Sequence, residues 1–201
     1  MTPSDPIAAA TPKGEATRRR IMEAAMTEFA QHGIAGARVD RIAAAASSNK
    51  AQLYAYFGSK DRLFDTVFRA SLERIVEVVP ISAEDLADWA VRLYDEYLAH
   101  PELIRLATWS RLERRPTGHL TEDRLDEAKL AAIASAQESG GIRALPGAEP
   151  FDVMAMVISM SMAWSPVSNV YAATAAEPAR VHRQRRELLR ESVRRVFSTD
   201  D

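Results

Sequence analysis

An all-α fold is predicted for this chain by three observations. Apolar residues recur at spacings of three and four, no segment alternates convincingly with a period of two, and turn residues such as Gly33, Pro80, Pro116 and Gly140-Gly141 fall where the periodic stretches end. The pattern gives about nine helices and no internal repeat. The first helix is predicted over 17–31, with Ile21, Ala24, Ala25 and Phe29 on one face, His32 in its last turn and Gly33 just beyond. Two short helices follow. Val39, Ile42, Ala43 and Ala46 make the apolar face of the first, and after a Ser47-Ser48 turn Asn49 caps the second, which runs from Lys50 to Phe57. Ser59 caps a long fourth helix whose Leu63, Phe64, Val67, Phe68, Leu72, Ile75 and Val79 point inward and which Pro80 stops.

Five further helices are predicted. Ser82, with Asp85 in a capping-box position, opens one through Leu86, Trp89, Leu93, Tyr94 and Tyr97. Pro101 begins another through Leu103, Leu106, Trp109 and Leu112, and Thr121 caps a third through Leu125, Ala132 and Ala136. The stretch 150–173 is apolar nearly all round. The last helix runs from Pro178 to Phe197, with Val181, Leu188, Leu189, Val193 and Val196 opposite Arg180, Arg183, Arg186, Arg190 and Arg194. No Gly/Ser linker separates the first three helices from the rest, so the fourth helix is the expected connector. The expected division is a flexible tail over 1–15, a helix-turn-helix head over 16–65 and a helical body over 66–201.

The second short helix buries Leu53 and Phe57, four residues apart, which turns Lys50, Gln52, Tyr54 and Tyr56 outward. A helix of about eight residues is unstable alone in water, so its neighbours must hold it. A short, supported helix displaying Lys, Gln and Tyr suits the DNA major groove. Lys50 and Gln52 are expected to reach base edges, the Gln amide being suited to adenine, while Tyr54, Tyr56 and Lys60 hold phosphates. Arg38 and Arg41 are expected to add phosphate contacts. For Gln52 a second reading stays open: Asn49-x-x-Gln52 is itself a capping box, which would tie the amide to its own backbone.

Gly33, then Val39-x-x-Ile42-Ala43-x-x-Ala46, then Leu53-Tyr54-x-Tyr56-Phe57-x-Ser59-Lys60-x-x-Leu63-Phe64 resembles the TetR family of bacterial transcriptional regulators, over residues 15–70. The resemblance implies a homodimer that binds a palindromic DNA operator, dimerises through its last two helices and is released by a small ligand in the body. Two departures stand out. Ser47-Ser48-Asn49 replaces the usual Gly-Val-Ser of the turn, placing a side chain where positive φ is expected, at about 1 kcal/mol. The usual Thr or Ser capping the first short helix is replaced near Ala37-Arg38.

Composition narrows the alternatives. No cysteine is present, which removes disulfides, thiolate metal sites and cysteine nucleophiles and suits a reducing cytoplasm. Residues 1–65 carry 9 basic and 7 acidic groups, 66–177 carry 10 and 17, and 178–201 carry 7 and 4, so the head is mildly basic and the body acidic. Val153 to Ala176 contains no charge and is long enough to span a bilayer. Ser159, Ser161, Ser165, Ser168, Asn169 and Pro166 interrupt it, so a helix buried on two sides is the simpler reading and no membrane partner is expected. Met156, Met160 and Trp164 in this stretch, with Trp89, Tyr94 and Trp109, are candidates to line a pocket for a small apolar or aromatic effector; plain core packing is the competing reading. His32, His100, His119 and His182 lie far apart, mostly at helix ends or loops, so surface or capping roles are expected and no metal set or catalytic triad can be drawn. No cofactor and no enzymatic activity are expected. A ligand-responsive repressor is the leading expectation, and a helical small-molecule-binding protein that has lost operator recognition is the alternative, motivated by the Ser47-Ser48 turn.

Overall fold

The computed structural model describes residues 11–115, 124–143 and 145–199. Among the described residues are nine α-helices and no strand: α1 (Pro12–Gly36), α2 (Val39–Ala45), α3 (Lys50–Phe57), α4 (Lys60–Val78), α5 (Leu86–Ala99), α6 (Pro101–Trp109), α7 (Glu127–Glu138), α8 (Pro150–Ser161) and α9 (Ala179–Phe197). A π-helical turn over Ser110–Arg114 continues α6.

α1 starts five residues before the predicted boundary. Thr11 Oγ1 accepts from the Gly14 N–H at 3.2 Å and Pro12 occupies the first turn, so cap and proline together begin the helix inside the segment expected to be a tail. Residues 1–10 of that segment lie outside the described residues. Near its other end α1 breaks at Gly33 (φ 72°, ψ −177°). Asp85, not Ser82, caps α5: its Oδ1 accepts from the Asp88 N–H at 2.9 Å. Thr121, the expected cap of α7, lies outside the described residues, and a 3₁₀ turn over Arg124–Asp126 leads into that helix.

The apolar stretch 150–173 is not one helix. α8 ends at Ser161, and the chain then turns irregularly to Pro178. Pro166 is the cause: within a helix it would clash with the Met162 carbonyl and offer it no N–H. That carbonyl instead accepts from the Ser165 N–H at 2.9 Å. No helix among the described residues is long and apolar enough to cross a membrane.

Two apolar cores form. The first joins Ile21, Phe29, Ile42, Leu53, Leu63 and Phe64 from α1 to α4, all fully buried, with Phe29 meeting Phe64 edge-on at 5.3 Å. Leu106 of α6 belongs to this core and is equally buried. The second gathers Trp89, Tyr94, Ile133, Val153, Val157, Leu189 and Val193 from α5, α7, α8 and α9. Leu72 of α4 packs against both, so the long helix bridges the cores through side chains as well as backbone.

Candidate nucleic-acid interface

α3 is held on the surface by two anchors. Leu53 is fully buried and Phe57 is 6% exposed, while Lys50, Gln52, Tyr54 and Tyr56 are exposed. The turn before it is an αL helix cap. Ser47 adopts φ 49°, its N–H donates to the Ala44 carbonyl at 3.1 Å, and the Ser48 N–H donates to the Ala43 carbonyl at 2.9 Å. Serine therefore accepts the conformation in which glycine is favoured. Arg20 of α1 donates through Nε to the Ala46 carbonyl at 3.1 Å and secures the end of α2. Asn49 caps α3 by accepting from the Gln52 N–H at 2.9 Å.

Of the capping box expected at Asn49-x-x-Gln52, the structure forms one part. The other part does not form, because the Gln52 amide oxygen accepts from the Ser48 hydroxyl at 2.8 Å. The amide is thus engaged with a partly exposed hydroxyl just before α3. Lys50 Nζ lies 3.0 Å from Asp40 Oδ1. Tyr54 and Tyr56 are 45% and 41% exposed, and a Cβ at Gly14 would lie 3.2 Å from the Tyr56 hydroxyl, so the start of α1 lies beside α3. Arg18 of α1 lies over the Phe57 ring at 5.5 Å.

The remaining expected contacts have structural partners. Lys60 Nζ donates to the carbonyls of Ala35 and Ala37, both at 3.2 Å, and so ties the α1–α2 connection to the start of α4. Arg41 donates from Nε to Glu28 Oε1 at 2.8 Å and from Nη2 to the Gly36 carbonyl at 3.1 Å. The Arg38 side chain is exposed, and its backbone N–H donates to the same Glu28 oxygen at 2.8 Å. Glu28 is 8% exposed. Burial alone would raise its pKa, but the Arg41 hydrogen bond, the Arg38 N–H and the Arg41 charge outweigh it and hold the carboxyl below the usual glutamate value. The charge of Glu28 thereby positions the start of α2. Its place on the α1 stripe of Ile21, Ala25 and Phe29 was the readable signal, a lone acid at a core position.

The head is joined to the body by polar contacts as well as by Leu106. Arg105 Nε and Trp109 Nε1 both donate to the Ala30 carbonyl, at 2.6 and 3.3 Å. Beyond Gly33, the Glu113 carboxylate accepts from the Ile34 and Ala35 N–H groups at 3.0 and 2.6 Å. Arg114 pairs with Asp65 and lies over the Phe64 ring at 4.7 Å. The π turn therefore grips both α1 and α4.

A cavity of about 340 Å³ lies on the other side of α6, walled by α4, α5, α6 and α8, with lining from Leu72, Trp89, Tyr97, Ile104, Met154 and Ile158. Its polar rim includes Arg111, Asp126 and Lys129. Burial pushes the Tyr97 phenol well above its ordinary pKa, so that its hydroxyl stays protonated. Of the six residues expected to line a pocket, Trp89 lines this one. Trp109 faces the head through its bond to Ala30, and Met156 is 51% exposed on α8. Met160 and Trp164 pack against the body core, and Tyr94 meets Trp164 edge-on at 6.0 Å. Tyr94 also bonds His182 Nδ1 at 2.8 Å, so His182 is buried rather than a surface or capping residue. His32 lies 3.8 Å from Glu28 and His100 sits between α5 and α6 beside Glu102, whereas His119 lies outside the described residues.

The profile of bacterial regulatory proteins of the tetR family matches residues 21–67, and that of the tetracyclin repressor-like C-terminal domain matches residues 85–195. The chain belongs to the TetR family. It is 42% identical over 151 residues to the HTH-type transcriptional repressor SCO4008 of Streptomyces coelicolor, an alignment covering 73% of this chain and 77% of that one. The solved structure of SCO4942 from the same organism, described as a transcriptional regulator, superposes with a TM-score of 0.74 at 36% identity, covering 90% of this chain and 98% of the other. A Saccharomonospora viridis regulator solved in complex with choline shares the fold at a TM-score of 0.64 and 17% identity, over 92% of this chain and all of that one. This TetR-family chain is a DNA-binding transcriptional regulator and not an enzyme.

Proposed function

We propose that this TetR-family protein is a cytoplasmic repressor that binds a palindromic operator as a homodimer and is controlled by a small, mainly apolar molecule in the body cavity. One observation carries the DNA-reading part: Leu53 and Phe57 pin α3 so that Lys50, Gln52, Tyr54 and Tyr56 are all exposed. Lys50 and Gln52 then serve base edges. Tyr54, Tyr56 and Arg38 serve phosphates, while Lys60 and Arg41, with donors committed to the protein, act as much by holding the head together. The Ser47 cap supports this reading over a body that has lost operator recognition, because both hydrogen bonds of the turn are made without glycine.

Dimerisation is supported by apolar side chains left exposed on the last two helices: Phe151 and Met156 on α8 and Leu188 on α9. A two-fold pair would present two copies of α3 to half-sites on one face of the duplex. The head over 16–65 and the body over 66–201 remain the working division, with α6 reaching across it. The test is fluorescence anisotropy with duplexes tiled across the upstream region of the protein's own gene, against scrambled duplexes, at two salt concentrations. Selective binding of one palindromic duplex that survives the higher salt supports the reading. Equal, salt-sensitive binding to every duplex would refute operator recognition there and favour the small-molecule-binding alternative.

A further inference from the structure

Asp40, the second residue of α2, sits between two cations of the DNA-facing surface. Its Oδ1 is 3.0 Å from Lys50 Nζ, at the first residue of α3, and its Oδ2 is 3.4 Å from Arg38 Nη2, at the α2 cap position. The hydrogen bond from Lys50 is the main reason its carboxyl titrates below the ordinary aspartate value, so the group is ionised whenever the head meets DNA. None of the three side chains is buried: Asp40 is 51% exposed, Lys50 58% and Arg38 64%. Exposed pairs of this kind contribute little to folding, because water solvates both partners and two long side chains lose rotamer freedom. The arrangement is therefore better explained by what approaches from outside. On DNA that lacks the operator Lys50 has no matching base edge to read, and a phosphate oxygen offers it the same chemistry that a carboxylate oxygen already supplies. To take the ammonium, DNA must displace Asp40 and leave an ionised carboxylate beside a polyanion.

We propose that Asp40 is a built-in competitor of DNA phosphate for Lys50 and Arg38, and so sets the affinity of the head for DNA of any sequence. The inference rests on the placement of α3 against DNA proposed above. It assigns Asp40 a role exerted through Lys50 and Arg38.

The experiment measures anisotropy of a scrambled 30-base-pair duplex, an arbitrary length of about three turns, between about 50 and 200 mM salt, a range over which one phosphate contact changes affinity about threefold. Wild type is compared with Asp40→Asn, Lys50→Ala, the double variant, and Glu23→Gln. The last removes the same charge from an exposed position on α1, where the group pairs with Arg19. Asp40→Asn is expected to bind about threefold tighter and to steepen the salt dependence by about one unit, with a melting temperature lowered by about 3 °C at most through the lost first-turn charge of α2. Glu23→Gln should change both by much less, and in the Lys50→Ala background the gain from Asp40→Asn should shrink towards that control. A gain equal to that of Glu23→Gln, or one that persists undiminished without Lys50, overturns the proposal. Lys50→Ala alone separates the two levels: if it binds like wild type, the placement of α3 fails and the proposal falls with it. If it binds more weakly while Asp40→Asn matches the control, only the Asp40 proposal is lost.

Discussion

At the scale of single residues, Glu28 shows how a buried charge can organise the surface above it. Its carboxylate receives the Arg38 N–H and the Arg41 guanidinium, and both arginines belong to the start of α2. Removing the carboxylate would leave the part-buried Arg38 N–H without its acceptor and the half-exposed Arg41 guanidinium without its partner. Glu28→Gln keeps an acceptor for the Arg38 N–H but gives up the charge that holds Arg41. A loss of about 1–3 kcal/mol in urea unfolding is expected. The pH dependence has a definite sign. The folded pKa of Glu28 lies below 4.5, so its contribution is complete above that pH and disappears as the pH falls through the folded value. The stability gap between wild type and Glu28→Gln should therefore stay constant from neutral pH down to about 4.5 and close below it. A gap that opened on acidification would contradict the assignment.

Among the elements, the α6–π segment carries the unexpected contacts. Gly33 is needed there twice over, once for φ 72° and once because a Cβ at this position would collide with Glu113 Oε1 and lie 3.0 Å from Trp109. Gly33→Ala should displace the Glu113 carboxylate, release the Ile34 and Ala35 N–H groups and cost about 2 kcal/mol or more. For a chain of this size that is a fall of roughly 4–8 °C in melting temperature, measurable by calorimetry. The contrast with α3 explains what could be read from the chain. Leu53 and Phe57 announce their helix face by spacing alone, and Asn49 and Ser59 announce its limits. Glu113 and Ile34 are 79 residues apart and polar at the point of contact, so no local period betrays them. The end of α8 fell between these cases: Pro166 was visible, but the apolar run around it concealed how early the helix stops. His182 was legible in principle, because it shares with Leu189 and Val193 the face of α9 that packs inward.

For the molecule as a whole, the cavity and the head share a wall. Ile104, Ala107 and Arg111 border the cavity, while Arg105, Trp109 and Glu113 from the same segment hold α1. A molecule that binds there shifts the head only if it prefers one arrangement of this wall over another. An amphipathic fluorescent reporter of apolar sites such as anilinonaphthalene sulfonate should brighten saturably with wild type and raise its melting temperature by mass action. Ala155→Phe, which narrows the cavity from α8, should weaken both effects while leaving the unliganded protein folded. Undiminished brightening in that variant would place the reporter elsewhere.

Leu106 bears on how such proteins can be recombined. This leucine is fully buried among side chains of the first four helices, although it comes from α6. Cutting the chain after α4 would leave a leucine-sized hole in the core of the first four helices and bring apolar surface into water, at about 2–5 kcal/mol for a residue of this kind. A hybrid that transplants these DNA-reading helices onto a foreign body therefore has to bring α6 along, or the new owner must supply its own plug.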